Sequence, residues 1–316
     1  MPFLKQRYFF VKTMDISIII PVYNVASYIE PCMRSICRQT FKGSYEVIVV
    51  DDCGTDNSIE LAENILKAEL PSNATYRILH HGLNRGLSAA RNTGDQVSQG
   101  KYTLYVDSDD QLTPVCLERL FDKAEATGAD LTNGAYGTFS DEHPDGIKVF
   151  HGPYIMAWNK LIRKDFLTKH HIRFVEGLIH EDNPWNFELS VHNPKTAVVG
   201  EVTYRYLIRE NSLQTGKDYS RHFAAYCQIL REYSRIIHGL GTQDAIDKYT
   251  HYLEQQKSLF FSMTVEKGTP RQLHDLYRLI RKVGPKPKCS KPDFHYYIPD
   301  CLGFLAYKKF HKYHLC

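Results

Sequence analysis

Two aspartates one residue apart, Asp107 and Asp109, stand in the run YTLYVDSDDQLTP, directly after an apolar stretch. Carboxylates gathered at the end of a buried strand repel one another unless a cation compensates. Hard divalent cations take oxygen ligands, often one or two carboxylates together with substrate phosphates. A cation held in that way neutralises a phosphate leaving group. The plain alternative is a helix N-cap at Asp109 or Asp110 ahead of Pro114. A second acidic pair, Asp51-Asp52, follows EVIVV, and a third, Glu181-Asp182, closes EGLIHED. A carboxylate in the third pair can take the proton of an attacking hydroxyl; it can equally be a first-turn acid favoured by a helix dipole. Trp158 and Trp185 suit stacking on sugar rings or packing in a core. The histidine pairs 80–81 and 170–171 have no partner at zinc spacing and read as incidental.

The elements that must position these residues are legible in the first 126 positions. Residues 16–20 (ISIII), 46–50 (EVIVV), 76–80 (YRILH) and 102–106 (YTLYV) are short β-rich runs. Helical patterns occupy residues 25–39, 56–69, 87–98 and 114–126, with Pro31 fitting only the first turn of its helix. Asp56 or Ser58 is an N-cap candidate for the second helix. Strands alternating with helices imply βαβ units and a mostly parallel sheet with helices on both faces. The loops after the strand C-termini then share one edge, where open α/β sheets bind ligands. Tyr23-Asn24, Asp51-Asp52 and Asp107 to Asp110 all fall there. Further on, residues 140–152 read as a loop, 155–169 and 181–191 as helices, and 196–208 as strand. Helical patterns then dominate over 220–238 and 244–262, a break falls at Gly284-Pro285-Lys286-Pro287, and 301–313 is a basic, aromatic segment.

The 316 residues, 43% apolar and 24% charged, suit a soluble globular chain with one large domain, or with a core domain and a smaller appendage. The net charge of +3 is uneven: residues 271–316 carry +7 and the rest −4. The tail from Tyr307 to Tyr313 (YKKFHKY) suits peripheral contact with an anionic membrane surface, or a solvated terminal helix. No nucleic-acid recognition motif accompanies it. No run of eighteen apolar residues exists and the N-terminus does not read as a signal peptide; the expected location is the cytoplasm, with peripheral contact at the inner face of the plasma membrane. The eight scattered cysteines read as free thiols.

In order and spacing, ISIIIPVYN, VIVVDDCGTDNS, NRGLSAARNTG and YTLYVDSDDQLTP resemble the nucleotide-binding half of family 2 glycosyltransferases. The likeness continues through WNKLIRKDFL, HED and YRYLIRENSL, over roughly residues 15–215. It implies a GT-A fold, α/β, with a central mostly parallel sheet and a helical C-terminal extension. The implied domains are an extension at 1–14, a catalytic domain at 15–218 (nucleotide-binding half 15–113, acceptor-binding half 114–218) and a helical region at 219–316. By the same resemblance, Pro21 and Tyr23 line a base pocket, with the Tyr23 ring on the base. Asp52 accepts the imide N–H of uracil, a donor that suits an acceptor-only carboxylate, as cytosine would not. Arg91, Asp107 and Ser108 lie at the nucleotide-sugar, and Asp109 ligates Mn2+ or Mg2+. Asp182 is the catalytic base of an inverting transfer. Glu181, Trp158, Trp185 and Arg209 are candidate contacts to acceptor or diphosphate, and Ser212 joins Arg209 in a loop expected to meet the diphosphate. Cys53 departs from the family, which usually has Gly at that place; the basic N-terminal extension is a second departure.

The expected function is transfer of a hexose or N-acetylhexosamine from a UDP-sugar to an acceptor glycan or lipid-linked saccharide. The β-linked product belongs to capsule or lipopolysaccharide-type surface polysaccharide synthesis. Two other classes are a sugar nucleotidyltransferase, whose glycine-rich loop is replaced here by PVYN, and a silent glycan-binding module, against which intact Asp109 and Asp182 argue.

Overall fold

The structure is a computed structural model and describes residues 14–140, 142–146, 148–152, 154–209 and 219–283. The N-terminal extension, Ser212, the break at Gly284 and the tail from Tyr307 to Tyr313 lie outside the described residues. The chain divides into two compact units, residues 1–173 with 194–208, and residues 174–193 with 209–316.

The first unit contains, in chain order, β1 (Met14–Val22), α1 (Ile29–Cys37), β2 (Tyr45–Asp51), α2 (Ser58–Glu69), β3 (Ala74–His80), α3 (Leu87–Val97), β4 (Gly100–Tyr105), β5 (Gln111–Leu112), α4 (Cys116–Thr127), β6 (Leu131–Phe139), β7 (Lys148–Phe150), β8 (Lys160–Arg163) and α5 (Lys164–Lys169). The second unit opens with α6 (Asp182–Val191). The chain then returns to the first for β9 (Thr196–Leu207). The nine strands form one sheet in the order β3-β2-β1-β4-β8-β6-β9-β5, with β7 on β6. Strands β3, β2, β1 and β4 are parallel. Strand β8 runs antiparallel to β4 and to β6, and β6 and β9 are parallel.

Strands β1, β2 and β4 are apolar runs covered on both faces, and β3 is the half-buried edge. Ile16, Ile18 and Ile20 lie on one face of β1 with Val47 and Val49 of β2, and all are fully buried against α1 and α2 residues such as Ile29, Met33 and Leu66. Each such side chain contributes roughly 1.5–3 kcal/mol by leaving water. On the opposite side, α3 approaches β1 closely at Gly94, where a Cβ would stand 2.4 Å from Cγ2 of Ile19. Pro31 sits in the first turn of α1, as its missing N–H requires.

Four local expectations change. Residues 155–169 are not one helix: they hold β8, then α5. Lys160, Leu161 and Ile162 are buried between β4 and β6, and ladder pairing on both sides outweighs the helical spacing. The turn into β8 is set by Asn159 at φ 59, whose side chain donates to the carbonyls of Gly134 and Ala135. Strand β6 has no counterpart among the elements expected from the sequence, and β7 lies within the expected loop at 140–152. Neither Asp56 nor Ser58 caps α2; the N-cap is Asn57, without a side-chain bond.

The second unit is helical: α6 is joined by α7 (Tyr219–His238), α8 (Gln243–Lys267) and α9 (Pro270–Ile280). Its core brings Leu178, Phe187 and Val191 together with Ile229, Tyr233, Leu253, Phe261 and Leu276. The segment 174–193, expected from the sequence to belong with the residues before it, therefore packs with the C-terminal helices. No described helix is long and apolar enough to cross a membrane.

Candidate active site

The C-terminal ends of β1, β2, β3 and β4 bring four loops together, and side chains stitch each loop to the next. Asn24, at φ 51 after β1, accepts the Thr55 N–H at 2.8 Å. Asp56 accepts the Ala26 N–H at 2.9 Å, and the Ser58 hydroxyl accepts that of Val25 at 2.9 Å. The polar residues expected to cap α2 therefore tie the loops after β1 and β2 together. Pro21 is buried in β1, while Tyr23, just past its end, is 48% exposed and presents its ring at this edge.

Asp52 is 3% exposed and links the loop after β2 to the loop after β3. Its Oδ1 accepts the Arg85 N–H at 2.8 Å and its Oδ2 that of Gly86 at 2.7 Å. Gly86, at φ 88, directly precedes α3 in a backbone conformation that Gly adopts without strain. The His81 ring contacts the same carboxylate: Nδ1 lies 2.7 Å from Oδ1, and Nε2 lies 2.9 Å from the Thr93 hydroxyl. From the sequence, His81 reads as incidental. The available signal was register: Asp51 pairs with His80 in the parallel ladder, so the next residues, Asp52 and His81, leave the sheet side by side.

The acidic run after β4 is a tight turn, with the Asp110 N–H donating to the Asp107 carbonyl at 3.1 Å. Its four residues do different things. Arg91 of α3 is 1% exposed and its guanidinium donates to Asp107 Oδ1 at 2.7 Å. Arg91 thus braces the Asp107 carboxylate from α3. Ser108 is buried and Asp109 half-buried. Asp110 is fully interior: its Oδ2 accepts the Tyr204 hydroxyl at 2.7 Å and its Oδ1 the Leu207 N–H at 2.8 Å. Tyr204 also accepts the Asp107 N–H at 3.2 Å. Burial, and then the neighbouring Asp109 and Asp107 carboxylates, push Asp110 well above the usual carboxylate range. Burial, followed by Asp110 and Asp107, likewise raises Tyr204. Strand β9 thus clamps the turn from one side, and α1 supports it from another, where the Cys32 thiol donates to the Asp107 carbonyl at 3.7 Å.

The donor set fits a hard divalent cation. Asp109, together with the Asp107 oxygen not held by Arg91, supplies one or two carboxylates, a number that phosphate oxygens can complete. Among the described residues no three His, Cys, Asp or Glu side chains form a closed cage. A site shared with a diphosphate needs none.

Cys53 is exposed and sits at φ 63. The turn after Asp52 therefore uses the left-handed region, which favours glycine and where a Cβ is strained by about 1–2 kcal/mol. Cys53→Gly is therefore expected to stabilise the first unit by about 0.5–1 kcal/mol, less than the full strain because Gly gains freedom in the unfolded chain. Urea unfolding of Cys53→Gly and Cys53→Ala checks this. Only the glycine variant should raise the midpoint; an equal rise in both would point to the thiol.

In the second unit, the EGLIHED segment turns through Gly177 at φ 76 and His180 at φ 61. Asp182 is half-buried in the first turn of α6, and Glu181, immediately before the helix, is buried. The His180 ring lies 2.8 Å, Nε2 to Nδ1, from His222. Arg209 is half-buried just after the end of β9. Neither tryptophan is open to a sugar. Trp158 is 4% exposed, stacked at 4.5 Å on Tyr204 and met edge-on by Tyr136. Trp185 is 1% exposed and stacked at 4.7 Å on Phe174. Sequence could not separate these uses, because an indole serves both.

Comparison with known proteins agrees with this architecture. The model of the family described as "Glycosyl transferase family 2" matches residues 17–177. The chain is 28% identical over 253 residues to the glycosyltransferase YibD of Escherichia coli, covering 71% of this chain and 72% of that one. It is 32% identical over 225 residues to the glycosyltransferase GlyA of Streptococcus pneumoniae, covering 63% of this chain but only 31% of that protein. Among solved structures, Staphylococcus aureus TarS 1–349 in complex with UDP-GlcNAc superposes with a TM-score of 0.66 at 20% identity, over 84% of this chain and 82% of that one.

Proposed function

We infer the reaction from a fixed premise: this chain belongs to glycosyl transferase family 2. Its α/β unit has the GT-A fold expected from the sequence. We propose that it transfers a hexose or N-acetylhexosamine from a UDP-sugar to an acceptor glycan or lipid-linked saccharide, with inversion, in bacterial surface polysaccharide synthesis. The observation that carries this reading is the sheet edge at which the adjacent C-terminal ends of β2, β1 and β4 deliver the Asp52 carboxylate, the exposed Tyr23 and the Asp107–Asp109 turn. An aromatic face for a base, a fixed acceptor for its imide and carboxylates near a diphosphate match the parts of a uridine diphosphate sugar. The UDP-GlcNAc held by TarS supports the uridine assignment.

In the proposed step the acceptor oxygen attacks the anomeric carbon of an α-linked donor. Its proton passes to Asp182 while the bond to the diphosphate breaks and UDP departs with the electron pair, leaving a β-glycoside. Asp109, supported by Asp107, would hold Mn2+ or Mg2+, which when bound offsets the charge that develops on the departing diphosphate. Arg91 and Tyr204 hold Asp107, and Tyr204 also holds Asp110 at the end of the same turn. Residues 15–218 are proposed as the catalytic domain and the basic C-terminal segment as a peripheral contact with the inner face of the plasma membrane, where lipid-linked acceptors reside.

A thermal-shift screen tests the donor assignment. UDP-sugars with Mn2+ should raise the melting temperature, because a ligand bound only by the native state stabilises it. UDP-sugars without metal should raise it less. A response to GDP-sugars and not to UDP-sugars would rule out the Asp52–uracil pairing.

A further inference from the structure

We infer that His81, backed by Thr93, is a positioning residue that fixes Asp52 for nucleobase selection; this rests on the uracil reading of Asp52 above. A carboxylate has about four lone-pair positions, two on each oxygen. Among the described residues, Oδ1 of Asp52 accepts from His81 Nδ1 and Arg85 N, which fills it. Oδ2 accepts from Gly86 N alone, which leaves one position open. Three donors from two directions thus hold the carboxylate, and one lone pair of Oδ2 is left for a ligand.

The proton positions follow from the partners. The ionised carboxylate only accepts, so His81 carries its proton on Nδ1. In a neutral ring Nε2 is then an acceptor, and the Thr93 hydroxyl, 2.9 Å away, donates to it. The ring is buried, with 5% of the side chain exposed, so water does not compete for either nitrogen. Thr93 lies on α3, and the Arg85 and Gly86 amides lead into that helix. One histidine therefore connects the end of β3, the start of α3 and the base-recognising acid. Removing its N–H reopens a lone pair on Oδ1 and frees the carboxylate to turn. Both affinity for a base with an imide N–H and discrimination against a base lacking it then fall.

The test is isothermal titration of the full chain with UDP and with CDP. The variants are His81→Phe, His81→Asn and Thr93→Val. Asparagine places its Nδ2 where the histidine has Nδ1, so it keeps the donor to Asp52. His81→Phe should weaken UDP binding about tenfold, as expected for a lost hydrogen bond to a charged group. CDP binding should change less, so the UDP-to-CDP ratio narrows. His81→Asn should restore most of that ratio, and Thr93→Val should narrow it a few-fold. If His81→Phe does not fold, the Thr93→Val and His81→Asn ratios still decide the matter. A histidine that only fills space would lower thermal stability, leave the ratio at its wild-type value in every variant, and overturn the inference. A wild-type chain that does not prefer UDP would instead overturn the uracil reading itself, a result seen before any variant is made.

Discussion

Replacing Asp109 with alanine should lower sugar transfer by on the order of 10³-fold while leaving the chain folded. A cation that offsets diphosphate charge is worth several kcal/mol in the transition state, and each 1.36 kcal/mol is tenfold in rate. The fold should survive because the turn is also held on either side of Asp109. Asp110 carries the bonds to Tyr204 and Leu207, and Asp107 carries the bond from Arg91. Two measurements separate a metal role from general damage. Titration of Mn2+ in the presence of UDP should show weakened metal binding, and the melting temperature without ligand should stay near the wild-type value. Retention of wild-type transfer at ordinary Mn2+ concentrations would remove Asp109 from the metal role.

Asp182→Asn should reduce kcat by about 10²–10⁴-fold, the range associated with loss of a general base. The amide keeps the shape and cannot take a proton. As a base, Asp182 would act on the acceptor proton and not on the donor. The apparent affinity for the donor should therefore change little, and the loss should appear in kcat. Transfer rates at saturating donor, together with UDP binding by titration, provide the check. A variant that binds UDP normally and transfers normally would exclude Asp182 as the base, and the inverting step would need a different acid.

The first four strands and their loops were legible because their information is local. Four short strand-forming runs, each ending in polar residues, give the buried strands β1, β2 and β4 and the half-buried β3, and send their loops to one edge. Tyr23, Asp52 and Asp107 to Asp109 reach that edge through chain connectivity alone. The second half was less legible because its strands are specified by their neighbours. Strand β8 has a helical pattern in isolation and becomes a strand through pairing with β4 and β6. The segment 174–193 reads as a continuation of the preceding residues, yet its apolar side chains find partners in α7 and α8.

Within the site the same division holds. The sequence by itself determined which acids stand at the strand ends, and so the class of chemistry they can support. Only the tertiary structure distinguished the acids from one another. Asp109 is half-open, Asp107 is braced by Arg91, and Asp110 is interior on Tyr204 and Leu207. The tertiary structure also raised His81 from an incidental residue to a partner of Asp52, enclosed both tryptophans and placed Cys53 at a positive φ. The physical reason is common to all of these. Whether a polar group faces a ligand or another side chain depends on which distant segments pack against it, and spacing along one chain does not contain that information.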